Sequence, residues 1–305
     1  SMMAAIRGAC AQSRKRSRSG EGLAASATPA DCTPYFAQTS RLNCGPTCVR
    51  MVCGAYGRDP GDKAVDRTAG IVEGKIITTL ELALAIRRIC GFEVELHFYS
   101  TSPCFNEDNL KFAFYQQYNA ASVKQSGMSR PAPPHVGAQH MVLECLHMNL
   151  TSPATSYPLV CPEALLEQAS VEGIGIEKKS VSLQEIQEWC KASTPGSPHL
   201  VLALLDWSVV MSQPEDEYCG HFVVVNGATD QGISLHNPDA TEASPYNGAG
   251  VVMPVDLFES ARTTVGTDED LIFIRRATSE EGKASASIDR PRTAPLSEAE
   301  AAYSD

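Results

Sequence analysis

Residues 38–56, QTSRLNCGPTCVRMVCGAY, decide how the chain is read. Cys44, Cys48, Met51, Val52 and Ala55 recur at helical spacing, so one apolar stripe runs along a helix predicted over Asn43 to Tyr56. Asn43 is the expected N-cap, and Pro46 falls in the first turn, where a missing N–H does no harm. Cys44 therefore stands at a helix start. Unsatisfied backbone N–H groups and the helix dipole favour an anion there, and the thiolate is the nucleophilic form of cysteine. Gln38 lies six residues upstream. Its amide is expected to donate to a developing oxyanion, with the Cys44 N–H as the second donor. Cys48 lies four residues on, along the same helix face. The helix start and the spacing from Gln38 select Cys44 as nucleophile and leave Cys48 to the core.

A second stretch, residues 221–238, reads HFVVVNGATDQGISLHNP. Two apolar runs flank a Gly/Asp turn, which predicts a β-hairpin. Folded about Thr229 without a bulge, it sets His221 directly opposite Asn237 on one face. An asparagine so placed accepts from one ring N–H of the histidine and leaves the other nitrogen for a thiol. His236 points to the other face by strand alternation.

The remaining pattern fits these two segments. Helices are expected at Thr79 to Cys90, stopped by Gly91, at Cys161–Val171, and at Leu183–Cys190 behind the N-cap Ser182. Strands are expected at Glu93 to Tyr99, Leu200–Leu205, Gly232–His236 and Leu271–Arg275. Helices lead and strands cluster late, which predicts an α+β fold with an antiparallel sheet. The 305 residues divide into a disordered basic head at 1–30, one domain at 31–276 and a disordered acidic tail at 277–305. A loop rich in proline begins near Lys124.

The net charge of −11 excludes a protein built mainly to grip phosphate backbones, so no nucleic-acid partner is expected. No apolar run is long enough to cross a bilayer as a helix, and no membrane partner is expected. Eleven cysteines at irregular spacing, with no secretory segment, read as reduced thiols in a cytoplasmic protein. The head, with Arg14, Lys15, Arg16 and Arg18 close together, leaves nuclear or organellar routing open. His135, His140, His147 and Cys145 have no recognised metal-ligand spacing.

The order Gln38, Cys44-Gly45, His221, Asn237-Pro238 resembles the double-glycine leader peptidases, a papain-like family with Gln-x5-Cys-Gly and a His-x15-Asp-Pro hairpin. Here asparagine replaces aspartate, as in papain. Over about 38–275 the chain also resembles the eukaryotic guanylyl cyclase domain-containing protein 1 family and its plant counterparts. Cys44-Gly45, Arg50-Met51-Val52, Gly220-His221-Phe222, Asn237-Pro238 and the run from Phe258 through Arg262, Gly266, Asp268 and Asp270 to Phe273 carry that resemblance. It lapses over 122–160, which reads as an insertion.

These resemblances imply a papain-like cysteine peptidase fold, with the catalytic cysteine at a helix start packed on a sheet. Cys44, His221, Asn237 and Gln38 (oxyanion hole) are then the catalytic residues, and the substrate is a peptide or protein. A peptidase of this kind needs no cofactor. The second family's name implies instead conversion of GTP to cyclic GMP with Mg2+ or Mn2+, for which Asp268, Glu269 and Asp270 are the clustered carboxylates. No P-loop accompanies them, and a polar loop ahead of the strand Leu271–Arg275 is the simpler reading, with Arg262 as its ion-pair partner. A non-catalytic binding module on the same fold is the third reading.

Overall fold

The computed structural model describes residues 33–40, 43–69, 77–103, 109, 112, 162–213, 218–241 and 243–278. The expected head 1–30, the insertion 122–160 with its histidines, and all of the tail 277–305 except its first two residues lie outside the described residues. In chain order the elements begin with α1 (Cys44–Ala55), α2 (Asp62–Ala69), α3 (Thr79–Cys90), β1 (Val94–Ser100), α4 (Pro162–Val171), β2 (Gly175–Lys178) and α5 (Leu183–Lys191). They continue with β3 (Leu200–Asp206), α6 (Trp207–Val210), β4 (Gly220–Thr229), β5 (Gly232–Asn237), β6 (Gly248–Met253), α7 (Val255–Thr263) and β7 (Leu271–Arg276).

Two helices carry their boundaries in local chemistry. Thr78 and Glu81 form a reciprocal capping box at the start of α3, and Gly91, at φ 64°, stops it. Ser182 and Glu185 repeat the capping box on α5. The start of α1 departs from expectation. Asn43 makes no side-chain cap; its Nδ2 donates instead to Thr39 Oγ1 at 3.1 Å. No Asn43 side-chain oxygen therefore competes for the first N–H groups of α1.

The seven strands lie in the order β2-β1-β7-β3-β4-β5-β6. The architecture is α+β, as expected. Every neighbouring pair is antiparallel except β1 with β2, which is parallel, so the sheet is mixed rather than purely antiparallel. Strand β2, four residues long at the sheet edge with mostly exposed side chains, gives no alternation that a sequence reading could detect.

Helices cover both faces. Met51, Val52, Leu82 and Ile86 from α1 and α3 pack on Leu96, Leu202, Val224 and Ile272. Ile186 from α5 with Phe258 and Ala261 from α7 packs on Val201, Ala203, Val223 and Leu235. Strands β3 and β4 are thus buried on both sides, which is why their sequences are unbroken apolar runs rather than alternating ones. Each such large side chain contributes about 1.5–3 kcal/mol by leaving water. Gly45 lets the first turn of α1 approach the sheet: a Cβ there would lie 3.0 Å from Leu82 Cδ1 and 3.2 Å from Phe222 Cδ2.

The acidic loop before β7 ties segments together. Asp268 and Glu269 both adopt left-handed backbone, at φ 50° and 53°. The Asp268 carbonyl accepts from the Thr101 N–H at 2.8 Å, and its carboxylate accepts from Asn109 Nδ2 at 2.9 Å. Thr79 Oγ1 bonds Asp270 Oδ2, linking the start of α3 to the same loop. Buried Arg262 pairs with Glu269 at 3.3 Å and with Glu259 at 2.6 Å, and donates to the Val181 carbonyl. The expected ion pair is present, and these contacts agree with the reading of a polar structural loop.

Candidate active site

Strand β4 outruns its neighbour β5. Their pairing ends with Val224 opposite His236, two residues short of Phe222. The first turn of α1 occupies the space beyond. The two cysteines of that turn use the two ends of one peptide residue. The Phe222 backbone N–H and the Gly45 N–H donate to the Cys44 sulfur, whereas the Cys48 thiol donates to the Phe222 carbonyl at 3.3 Å.

This difference separates the two thiols. Burial pushes the Cys44 thiol up, but the hydrogen bond and charge attraction from His221, helped by the two N–H groups, bring it below the ordinary thiol range. Cys48, buried with an acceptor as its partner and the Cys44 charge nearby, is pushed well up and stays protonated. Cys44 is the nucleophile candidate on physical grounds as well as by spacing.

His221 sits at the start of β4, buried, with its ring hydrogen-bonded to Cys44 on one side. Its Nε2 lies 2.7 Å from Asn237 Oδ1, which leaves Nδ1 for the sulfur. Burial alone pulls the ring's proton affinity down. Cys44, the Asn237 bond and the nearby Asp239 carboxylate together carry it above the ordinary histidine range. The two shifts run in the directions that favour a thiolate–imidazolium pair.

Asn237 is fully buried at the end of β5, and all of its polar capacity is used. Oδ1 also accepts from the Asp239 N–H at 2.9 Å, while Nδ2 donates to the Tyr246 carbonyl at 3.0 Å and to Asn247 Oδ1 at 2.9 Å. This set of partners fixes the carboxamide with its oxygen toward His221.

The route by which His221 and Asn237 meet corrects the sequence reading. The hairpin turns between Thr229 and Gly232, and a bulge falls between Val225 and Gly227. The register outside the bulge, continued from Val224 opposite His236, sets Asn237 opposite Val223 rather than opposite His221. The pair are diagonal neighbours two residues apart on one face. His236 turns elsewhere, as alternation requires, between the Thr33 carbonyl at 2.9 Å and the Gly250 N–H at 2.8 Å.

Gln38 lies beside these residues through its backbone: its N–H donates to the Pro238 carbonyl at 2.8 Å. Its side-chain Oε1 is buried without a hydrogen-bond partner. Trp207 is buried and flanks the site, its ring centroid 4.8 Å from that of His221. Sequence reasoning missed Asp239 and Asn247 as well; neither stands at a diagnostic spacing, and only the fold brings them to Asn237. Among the described residues Cys44, Cys48, Cys53, Cys90 and Cys190 are buried free thiols, and Cys219 is exposed at the lead-in to β4. Among the described residues no cluster of three His, Cys, Asp or Glu side chains is placed to hold a metal ion, and no helix is long and apolar enough to cross a membrane.

A cysteine at a helix start, packed on a sheet whose adjacent strands carry a histidine and an asparagine, is the arrangement of the papain-like fold. A family model described as guanylylate cyclase matches residues 162–274, a span that includes His221 and Asn237 and begins beyond Cys44. Among solved structures the chain is similar to the peptidase domain of Streptococcus ComA, a bi-functional ABC transporter involved in a quorum sensing pathway. Identity is 10%, with 79% of this chain and 97% of that one covered, and the TM-score is 0.39. It is also similar to a double glycine motif protease from an AMS/PCAT transporter in complex with the leader peptide: 12% identity, 80% and 92% coverage, TM-score 0.36. No curated protein matches the chain.

Proposed function

We propose that this chain is a papain-like thiol hydrolase that cleaves an acyl bond in a peptide or protein. The observation that carries the reading is the continuous line of contact Cys44–His221–Asn237, with the thiol lowered and the imidazole raised. The Cys44 thiolate attacks the substrate carbonyl, and Gln38 Nε2 with the Cys44 backbone N–H receives the oxyanion. The imidazolium of His221 gives its proton to the departing amine, leaving an acyl thioester on Cys44. Water, deprotonated by the neutral ring, then hydrolyses that thioester. Asn237 holds the ring in the plane of attack throughout.

Limited treatment of the folded protein with iodoacetamide or an epoxide inhibitor, followed by peptide mass mapping, tests this. Labelling is expected first at Cys44 and is lost from that position in His221→Ala. Labelling spread evenly over the cysteines, or absent from Cys44, would overturn the reading.

The family match over 162–274 supports a second reading, a guanylylate cyclase. Incubation with GTP and Mn2+ distinguishes the two. Cyclic GMP formed by the wild type and lost in Asp268→Asn or Asp270→Asn would favour the cyclase.

A further inference from the structure

The third member of the proposed triad is neutral, and its surroundings require it to be so. Asn237 Nδ2 faces two acceptors, the Tyr246 carbonyl and Asn247 Oδ1. An aspartate at 237 would put a carboxylate oxygen against both. Any negative charge that assists His221 must therefore come from another residue.

Asn237 and three residues around it form a closed circuit of hydrogen bonds. Asn237 Nδ2 donates to Asn247 Oδ1, and Asn247 Nδ2 donates to the Thr241 carbonyl and to Thr241 Oγ1, both at 3.1 Å. The Thr241 N–H donates to Asp239 Oδ1 at 2.9 Å, and the Asp239 N–H closes the circuit on Asn237 Oδ1 at 2.9 Å. That same oxygen receives His221 Nε2. The Asp239 backbone and the imidazole are thus two donors on one atom, and the Asp239 carboxylate is held in place by a main-chain N–H.

We propose that Asp239 is a positioning residue of this site: its N–H fixes the Asn237 carboxamide, and its carboxylate supplies the imidazolium with the negative charge that Asn237 lacks. This rests on the thiol-hydrolase reading above. Among the described residues the charged groups that act on the His221 ring are Cys44, from the start of α1, and Asp239, from the loop after β5; Trp207 from α6 presents only an uncharged ring. The Tyr35 hydroxyl, on the segment that runs beside β5, also feels the Asp239 charge.

The test separates the charge from the circuit. Asp239→Asn keeps an oxygen for the Thr241 N–H and removes only the charge, whereas Asp239→Ala removes both. The His221 ring is followed by nitrogen NMR across pH in the full chain, its signal assigned by loss in His221→Gln. In Asp239→Asn the ratio of protonated to neutral ring at a given pH is expected to fall about two- to fivefold, the size of one charge interaction near the protein surface. The fall is expected to persist in the Cys44→Ala background. An unmoved titration in Asp239→Asn would overturn the proposal. Failure of the hydrolase reading shows separately, as loss of selective labelling at Cys44 in the wild type, because the His221 titration does not depend on that chemistry.

Discussion

Replacing Asp270 with asparagine should make this protein more stable in alkaline solution and change it little in acid. The Asp270 residue is half-buried, but its Oδ1 is sealed from solvent and has no partner. Burial is the main cause that pushes its carboxyl up to about 7 from 3.8; the neighbouring Asp268 charge adds to this, and hydrogen bonds from Ser100 and Thr79 oppose it. The sign follows from proton counting. Below about pH 4 the carboxyl is protonated in both folded and unfolded chains. Between about pH 4 and 7 the unfolded chain loses the proton first, so the folded state binds more protons and stability falls as pH rises. Above about pH 7 the deficit is complete. The full rise corresponds to about 4 kcal/mol at 1.36 kcal/mol per unit, and the residue's remaining solvent contact reduces the expectation to about 2–4 kcal/mol. Urea unfolding at pH 5 and pH 8.5 measures it. Because pH 5 already lies above the unfolded-state value of 3.8, part of the loss precedes it, and wild type should lose about 1–2.5 kcal/mol more than Asp270→Asn between the two conditions. Equal losses would refute the argument. So would a rise in wild-type stability with Mn2+ that the variant lacks, since that would make the loop a cation site instead.

Other expectations follow from the site and its supports. Cys44 alkylation, compared with that of a free cysteine peptide, should gain most in relative rate as pH falls from 8 to 6, because the lowered thiol keeps its thiolate where an ordinary one is protonated; a constant ratio would count against the ion pair. Asn237→Asp should destabilise by roughly 1–3 kcal/mol in denaturant unfolding, through opposed acceptors at Tyr246 and Asn247, and should lower rather than raise the labelling rate of Cys44. Arg262→Ala should cost about 3–5 kcal/mol, since it leaves Glu259, Glu269 and the Val181 carbonyl without their cation; a loss under 1 kcal/mol would show the pairs to be idle.

The sequence was most readable where one residue type does one local job. Ser182 as an N-cap and Gly91 as a helix stop need no tertiary context, and both stand where expected. The runs in β3 and β4 are readable because burial on both faces demands them. Strand β6 is opaque because only Met253 of its residues is buried and Gly248 and Gly250 take left-handed backbone. Helix α7 is opaque because Pro254 precedes it without a side-chain cap. In the site, Cys44, His221, Asn237 and Gln38 were selected by chemistry and order, whereas Asp239, Asn247 and Trp207 depend on where loops return.

The register of the hairpin shows what pattern alone leaves open. With its turn between Thr229 and Gly232 and no bulge, Asn237 would oppose Val224, three residues from His221 and on the other face. The extra residue, Asn226, moves the opposition to Val223 and restores a common face. Asn226 is buried, and its carboxamide holds the bulge, accepting from Ser234 Oγ at 3.0 Å and lying 3.4 Å from His236 Nε2. The ladder is already continuous across it, Val225 opposite Leu235 and Gly227 opposite Ser234. Deleting Asn226 should therefore keep His221 and Asn237 on one face and preserve selective labelling of Cys44. Inserting one alanine between Phe222 and Val223 should turn His221 to the far face and abolish that labelling, while the pairing from Val223 to the turn survives. Cooperative unfolding of both variants establishes that they fold. Labelling retained after the insertion, or lost after the deletion in a folded chain, would mean that strand register is not what brings the imidazole to the thiol.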